Sequence, residues 1–194
     1  PVFGAPAAFL ELQDVGRSLK VAVPHLPSGL SLREANKLQR FLLEELMQQH
    51  GLSRPVLWYY TPMAMQFTRE TPAGAVVYDC MDELASFRNP PKQLLQRESA
   101  LLSIADLVFA GGPSLYEAKR HRHPNVHCFS SSVDVVHFQQ ALDRSRTHPQ
   151  QDAIPHPRLG FYGVLDERFD PDLAGAVADA HPEWQIVLAG PVVK

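Results

Sequence analysis

Short apolar runs alternate with helix-period segments along most of this chain, and that alternation constrains its fold more than any single motif does. The runs are "LKVAVPHL" (Leu19 to Leu26), "PVLWYY", "GAVVYDC", "DLVFA" and "NVHCFSS". Each has strand length and strand composition. Between the first two lies "SLREANKLQRFLLEELMQQHG". It carries Ser31 and Glu34 at capping-box spacing, Leu38, Leu42 and Leu46 on one stripe, and Gly51 where a helix would stop. Thr61 and Pro62 supply an N-cap and a first helical position for "PMAMQFTR". Beyond the "RNPP" turn, "KQLLQRESALLSIA" sets Leu94, Leu95, Leu101 and Leu102 on a second stripe, and "GGPSLYEAKRH" reads as a turn plus helix. "DVVHFQQAL" is a short helix capped by Asp134. Strands separated by helices in this order predict an α/β fold, a largely parallel sheet with helices on both faces.

From Asp143 to Pro157 the periodicity disappears in "DRSRTHPQQDAIPHP". The chain therefore divides into a first domain at 1–142, a linker at 143–157 and a second domain at 158–194. The second opens on the strand "RLGFYGV". A helix follows with Asp170 at its N-cap and Pro171 at its first position, and the strand "WQIVLAGP" comes last. One strand, one helix and one strand cannot bury a core of their own, so that domain is expected to be incomplete. The opening "PVFGAP", without an initiator Met, adds to the expectation of a piece of a longer protein.

Charge and cysteine usage remove some functions. A net charge of −3 gives no overall attraction to nucleic acid or an anionic bilayer, so any such contact must come from a local patch. Cys80 and Cys128 are too few for a disulfide framework, which suits a reducing cytosol. "ALLSIADLVFAGG" is broken by Asp106, and no apolar run approaches the roughly 20 residues of a membrane span. A soluble, cytoplasmic protein is expected.

Chemistry concentrates where strands should end. "VVYDCMDEL" places Asp79, Asp82 and Glu83 at the carboxyl end of a strand, the edge where ligands of parallel sheets gather. Carboxylates crowded there can orient a sugar hydroxyl or take its proton. The plainer alternative has Asp79 in a turn and Asp82 and Glu83 opening a helix, where acids suit the dipole. "AGGPSLYEA" puts Gly111, Gly112 and Ser114 between a strand and a helix. Its backbone N–H groups could meet a phosphate, or it is an ordinary tight turn; it matches neither the dinucleotide nor the Walker pattern. "KRHRHPNVHC" offers Lys119, Arg120 and Arg122 as a small basic patch for an anionic lipid or diphosphate, or simply as cations ending a helix. Its histidines have loose spacing for a metal. The "DPD" of Asp170 to Asp172 is explained by helix capping, and Cys80 has no helper His placed by the sequence.

Read in order, "VVYDCMDEL", "ADLVFAGGPSLYEAKR", "NVHCFSSSVDVVHF" and "RLGFYGVLDERFD" with "WQIVLAGP" resemble a GT-B glycosyltransferase. The likeness is to the family-four-like bacterial enzymes that build teichuronic acid and other cell-surface polysaccharides. "SSSVDVVHF" resembles the N-G-V-D-x-x-x-F segment that closes the first lobe there, with Ser in place of both Asn and Gly. The resemblance implies two Rossmann-like lobes, the first binding acceptor and the second binding nucleotide-sugar. This chain would be most of the first lobe plus the opening strand, helix and strand of the second. It implies catalytic roles for Asp79 and Asp82, Tyr78 standing where such enzymes often have His. It also puts Glu83, Thr61, Gly111, Gly112 and Ser114 on the acceptor side, and Gly163, Gly190 and Pro191 near the donor. No metal or other cofactor is implied, only a UDP- or GDP-sugar donor and a glycan or lipid-linked acceptor. Lys119, Arg120 and Arg122 would touch the membrane from its cytoplasmic side. The first strand with its Gly-rich loop is expected before Pro1 and an acidic donor motif after Lys194, so the chain alone is expected to transfer no sugar. The competing readings are a non-catalytic nucleotide- or partner-binding module and a nucleotide-sugar epimerase.

Overall fold

In the computed structural model, which describes residues 1–86 and 90–193, the larger sheet has four strands, all parallel. The chain divides into two compact units, Pro1–Ser131 and Ser132–Lys194. The expected "RNPP" turn falls partly outside the described residues.

The first unit opens with strands β1 (Val2–Phe3), β2 (Phe9–Asp14) and β3 (Lys20–Leu26), ordered β1-β3-β2. β2 runs antiparallel to β3 and β1 runs parallel to it. β1 reaches only His25 and Leu26, so β3 is an edge at Pro24, where a residue without an N–H is tolerated. Helix α1 (Leu32–Gln49) follows. Ser31 and Glu34 form the reciprocal capping box that their spacing predicts. At the other end Gly51 takes φ 64°, the Gly51 N–H reaches the Gln48 carbonyl and the Leu52 N–H reaches that of Met47, a complete Schellman stop. α1 buries Ala35 and Leu42 against Leu26 of β3.

Strands β4 (Val56–Tyr59), β5 (Ala75–Cys80), β6 (Leu107–Ala110) and β7 (Val126–Cys128) make the parallel sheet in the order of the chain. Thr61 caps a 3₁₀ turn at Pro62–Ala64 that continues as the single helical turn α2 (Met65–Thr68). Helix α3 (Leu94–Ile104) links β5 to β6, and α4 (Pro113–Lys119) links β6 to β7. Parity decides which residues become core. Tyr59, Tyr78, Cys80 and Val108 point to one face and pack with Met65, Leu101 and Leu102. The arrangement is an α/β sheet flanked by helices, Rossmann-like in kind.

The division between units falls at Ser131/Ser132, earlier than the expected boundary at 142. Helix α5 (Val135–Gln139), capped by Asp134 as predicted, therefore belongs to the second unit. The expected linker at 143–157 is not structureless either. Asp143 caps a 3₁₀ turn and His148, with Pro149 after it, starts α6 (Pro149–Asp152). Local side-chain caps fold a stretch that has no periodicity to reveal it. Strands β8 (Arg158–Tyr162) and β9 (Gln185–Ala189) pair in parallel, joined by α7 (Pro171–Ala180), which Asp170 caps through the Leu173 N–H at 2.9 Å.

Candidate functional site

Because β4 to β7 are parallel, the segments leaving their carboxyl ends gather on one edge of the sheet: Thr61 after β4, Met81 to Leu84 after β5 and Gly111 to Ser114 after β6. Two of these loops touch. The Gly111 N–H donates to the Cys80 carbonyl at 2.9 Å, and a Cβ on Gly111 would lie 3.0 Å from both Cα and O of Met81. Only a glycine lets the β6 turn press so closely against the loop that carries Asp82. Gly112, with φ 179° and open space around its Cα, is ordinary extended backbone. α4 has no side-chain cap, and Ser114 is exposed on its first turn.

The two aspartates occupy different environments. Asp79 is still within β5 and pairs in register with Phe109, so it lies on the face opposite the core. There the Trp58 indole N–H donates to its Oδ2 at 3.1 Å. Trp58 stacks on Phe109 at 5.4 Å between centroids, and Phe109 meets Phe129 edge-on at 5.1 Å. Asp82 is past the strand, exposed, and its side chain has no hydrogen-bond or ion-pair partner among the described residues. A carboxylate without a partner at this edge is free to accept a proton or a hydroxyl; one held by an indole is oriented first.

Glu83, expected on the acceptor side, is tied to a cation. Lys119 reaches it at 2.9 Å, and the same ammonium meets Glu98 of α3 at 2.8 Å. The Lys119 side chain is 2% exposed and Glu98 7%, so this is a buried network. Arg122 closes it with 2.8 Å to Glu98, and the Tyr78 hydroxyl donates to Glu98 at 3.2 Å. Burial works to raise the Glu98 carboxyl, but hydrogen bonds from Lys119 and Arg122, with their charges, bring it below its ordinary value. Burial works to lower Lys119, and its bonds to Glu98 and Glu83 more than offset that, holding it above the usual lysine range. Burial drives the Tyr78 hydroxyl far upward, so Tyr78 is a neutral donor on the core face and does not stand at the edge in the place of a histidine.

This overturns the placement of Lys119 on a membrane-facing patch. The last residue of α4 packs over α3, where two carboxylates draw its ammonium inward. Arg120 pairs with Glu117 and Arg122 with Glu98, so neither is an unpaired surface cation. His123 is buried as well. Its Nδ1 accepts the Asn125 N–H at 3.1 Å, leaving Nε2 to donate to the Ala105 carbonyl at 2.8 Å. Burial pushes the Cys80 thiol above its ordinary value.

In the second unit the sequence-predicted donor glycines do come together. Gly163 and Gly190 follow the carboxyl ends of β8 and β9, and a Cβ on Gly190 would sit 1.8 Å from the Gly163 carbonyl oxygen. The Gly163 N–H donates to the Ala189 carbonyl and the Leu165 N–H to that of Pro191. The Gly163 and Gly190 backbones meet at the strand ends at a distance that leaves no room for a Cβ on Gly190.

Sequence reasoning missed Trp58 as the partner of Asp79, and Glu98 with Lys119 as the anchor of the Asp82 loop. Glu98 left a signal, since a carboxylate set among Leu94, Leu101 and Leu102 on one helical stripe has to meet a cation inside. Among the described residues no helix is long and apolar enough to cross a membrane. No protein-family model matches the chain, and no curated protein matches it significantly.

Proposed function

We propose that this chain is the acceptor-side lobe, with the start of the donor lobe, of a glycosyltransferase that moves a sugar from a UDP- or GDP-linked donor to a glycan or lipid-linked acceptor. The observation that carries the reading is Asp82, a carboxylate without a partner among the described residues, on a loop pinned from both sides. Gly111 presses on it at Met81, and Lys119 holds it at Glu83. Its order along the chain with the paired glycines Gly163 and Gly190 is that of the glycosyltransferases it resembles. In the proposed reaction the acceptor hydroxyl attacks the anomeric carbon, its proton passes to Asp82, and the nucleoside diphosphate leaves. Asp79, fixed by the Trp58 indole, orients the acceptor; Thr61 and Ser114 offer hydroxyls at the same edge. The membrane contact proposed with this activity would have to use groups other than Lys119.

The test is a donor screen on the product of the complete reading frame, with UDP- and GDP-sugars and product analysis. Transfer yields a new glycoside and free nucleoside diphosphate, and Asp82→Asn should lower its rate by about 10²-fold or more with little change in donor KM. Donor binding without a glycoside would favour the binding module, and an isomerised donor the epimerase; either result rejects the transferase.

A further inference from the structure

A second feature at the carboxyl ends of the strands was not visible in any motif. A cavity of about 560 Å³ lies among the first turns of α1, α2 and the start of α3, segments that follow β3, β4 and β5. Arg33, Lys37 and Arg40 line it from one face of α1, spaced four and three apart, and Arg97 lines it from α3. Asn36, Gln66 and Gln93 add neutral amides, with Asn36 donating to Gln66 at 3.2 Å.

The charges do not balance. Arg40 pairs with Glu70; Arg33, Lys37 and Arg97 have no carboxylate partner among the described residues. The donors of Arg97 are used on neutral acceptors, the Met63 sulfur at 3.3 Å and the Gln93 side chain. Burial pulls the Arg97 guanidinium below its usual pKa, a cost that no nearby anion offsets. The Arg40 Nε is fully buried without a hydrogen-bond partner among the described residues. Four cations facing one carboxylate, three of them guanidinium forks, leave an excess that matches a multiply charged oxyanion with planar, bidentate edges.

We infer that this cavity binds a phosphate-bearing group, in the first place a diphosphate, through Arg97, Arg40, Arg33 and Lys37. Its role as the anionic anchor of the acceptor rests on the transferase reading, but the binding itself does not. A diphosphate held here would belong either to a lipid-linked acceptor or to a free or nucleotide-bound diphosphate.

The experiment is calorimetric titration of the full chain with inorganic pyrophosphate at low ionic strength, with no sugar present. Saturable binding is expected. Arg97→Gln should weaken it by about tenfold, whereas Lys20→Gln, which removes a cation of β3 outside the cavity, should leave it unchanged. Should Arg97→Gln fail to fold by circular dichroism, the exposed double variant Arg33→Gln/Lys37→Gln is expected to give the same loss. Absence of saturation, or equal weakening by Lys20→Gln, overturns the site. A short prenyl diphosphate that competes with pyrophosphate assigns a lipid-linked source. Pyrophosphate binding without that competition assigns a free diphosphate and equally supports the cavity. Binding to phosphatidylglycerol vesicles with none to pyrophosphate overturns it in favour of a surface patch. Pyrophosphate binding by the chain, with no glycoside formed by the product of the complete reading frame in the donor screen, keeps the site and discards the transferase.

Discussion

Lys119 is held out of water between Glu98 and Glu83, and the energetic sign of that arrangement can be worked out from its partners. Truncation to methionine keeps the stem but leaves Glu98 buried with only Arg122 to offset its charge. Lys119→Met should therefore cost about 3–5 kcal/mol in urea unfolding, and a loss below about 1 kcal/mol would mean that water screens the network. The pH dependence has two limbs. Glu98 sits below its ordinary 4.5, so its contribution is complete above that value and disappears as pH falls through the lower native pKa. Lys119 sits above 10.5, so its contribution is complete below that value and disappears as pH rises through the higher native pKa. Unfolding free energy measured across pH should fall at both ends, and Lys119→Met should remove the alkaline fall that this residue causes. None of this was legible in "KRHRHPNVHC", which looks like a solvated helix end. Burial of a lysine depends on which carboxylates the tertiary fold brings to it, and both come from other segments.

Among the elements, what could be read was what is encoded locally. Ser31 with Glu34, Gly51, Thr61 with Pro62, Asp134 and Asp170 with Pro171 each act on backbone groups within a few residues, and each caps or stops the element expected. β2 was missed because nothing local specifies it. Its residues are mostly exposed, and it exists through its pairing with β3, the His25–Glu11 hydrogen bond at 2.8 Å and the Phe9–His25 stack at 4.6 Å. The Gly111-Gly112 turn is a partial case. Two glycines announced a tight passage, but only the distance to Met81 says which one is needed. Gly111→Ala should cost about 1–3 kcal/mol and shift the amide resonances of the Asp82 loop, because the Met81 backbone has to move. Gly112→Ala should stay within about 0.5 kcal/mol in the same denaturation experiment. Equal effects of the two would show that the loops are not in the contact described.

For the molecule as a whole, the two units differ in what they bury. The first holds two clusters, one under the parallel sheet around Tyr78 and Leu101 and one between α1 and β3. In the second, no described residue is buried, and Leu173, Leu188 and Val192 are exposed around a sheet of two strands. A lone strand, helix and strand was expected from the sequence to lack a core, and physical reasoning on sheets agrees: three or more strands with a covered apolar face are needed for independent stability. Opening the second unit should therefore require far less free energy than opening the first. In native-state hydrogen exchange, amides of β8 and β9 should exchange about 10²-fold or more faster than those of β5 and β6, each tenfold being about 1.4 kcal/mol. Denaturant should then give two transitions, with the signal of Trp184 in the second unit changing before that of Trp58 in the first. Coincident transitions with equal protection would mean that the Gly163 and Gly190 loops draw stability from burial that the second unit does not itself contain.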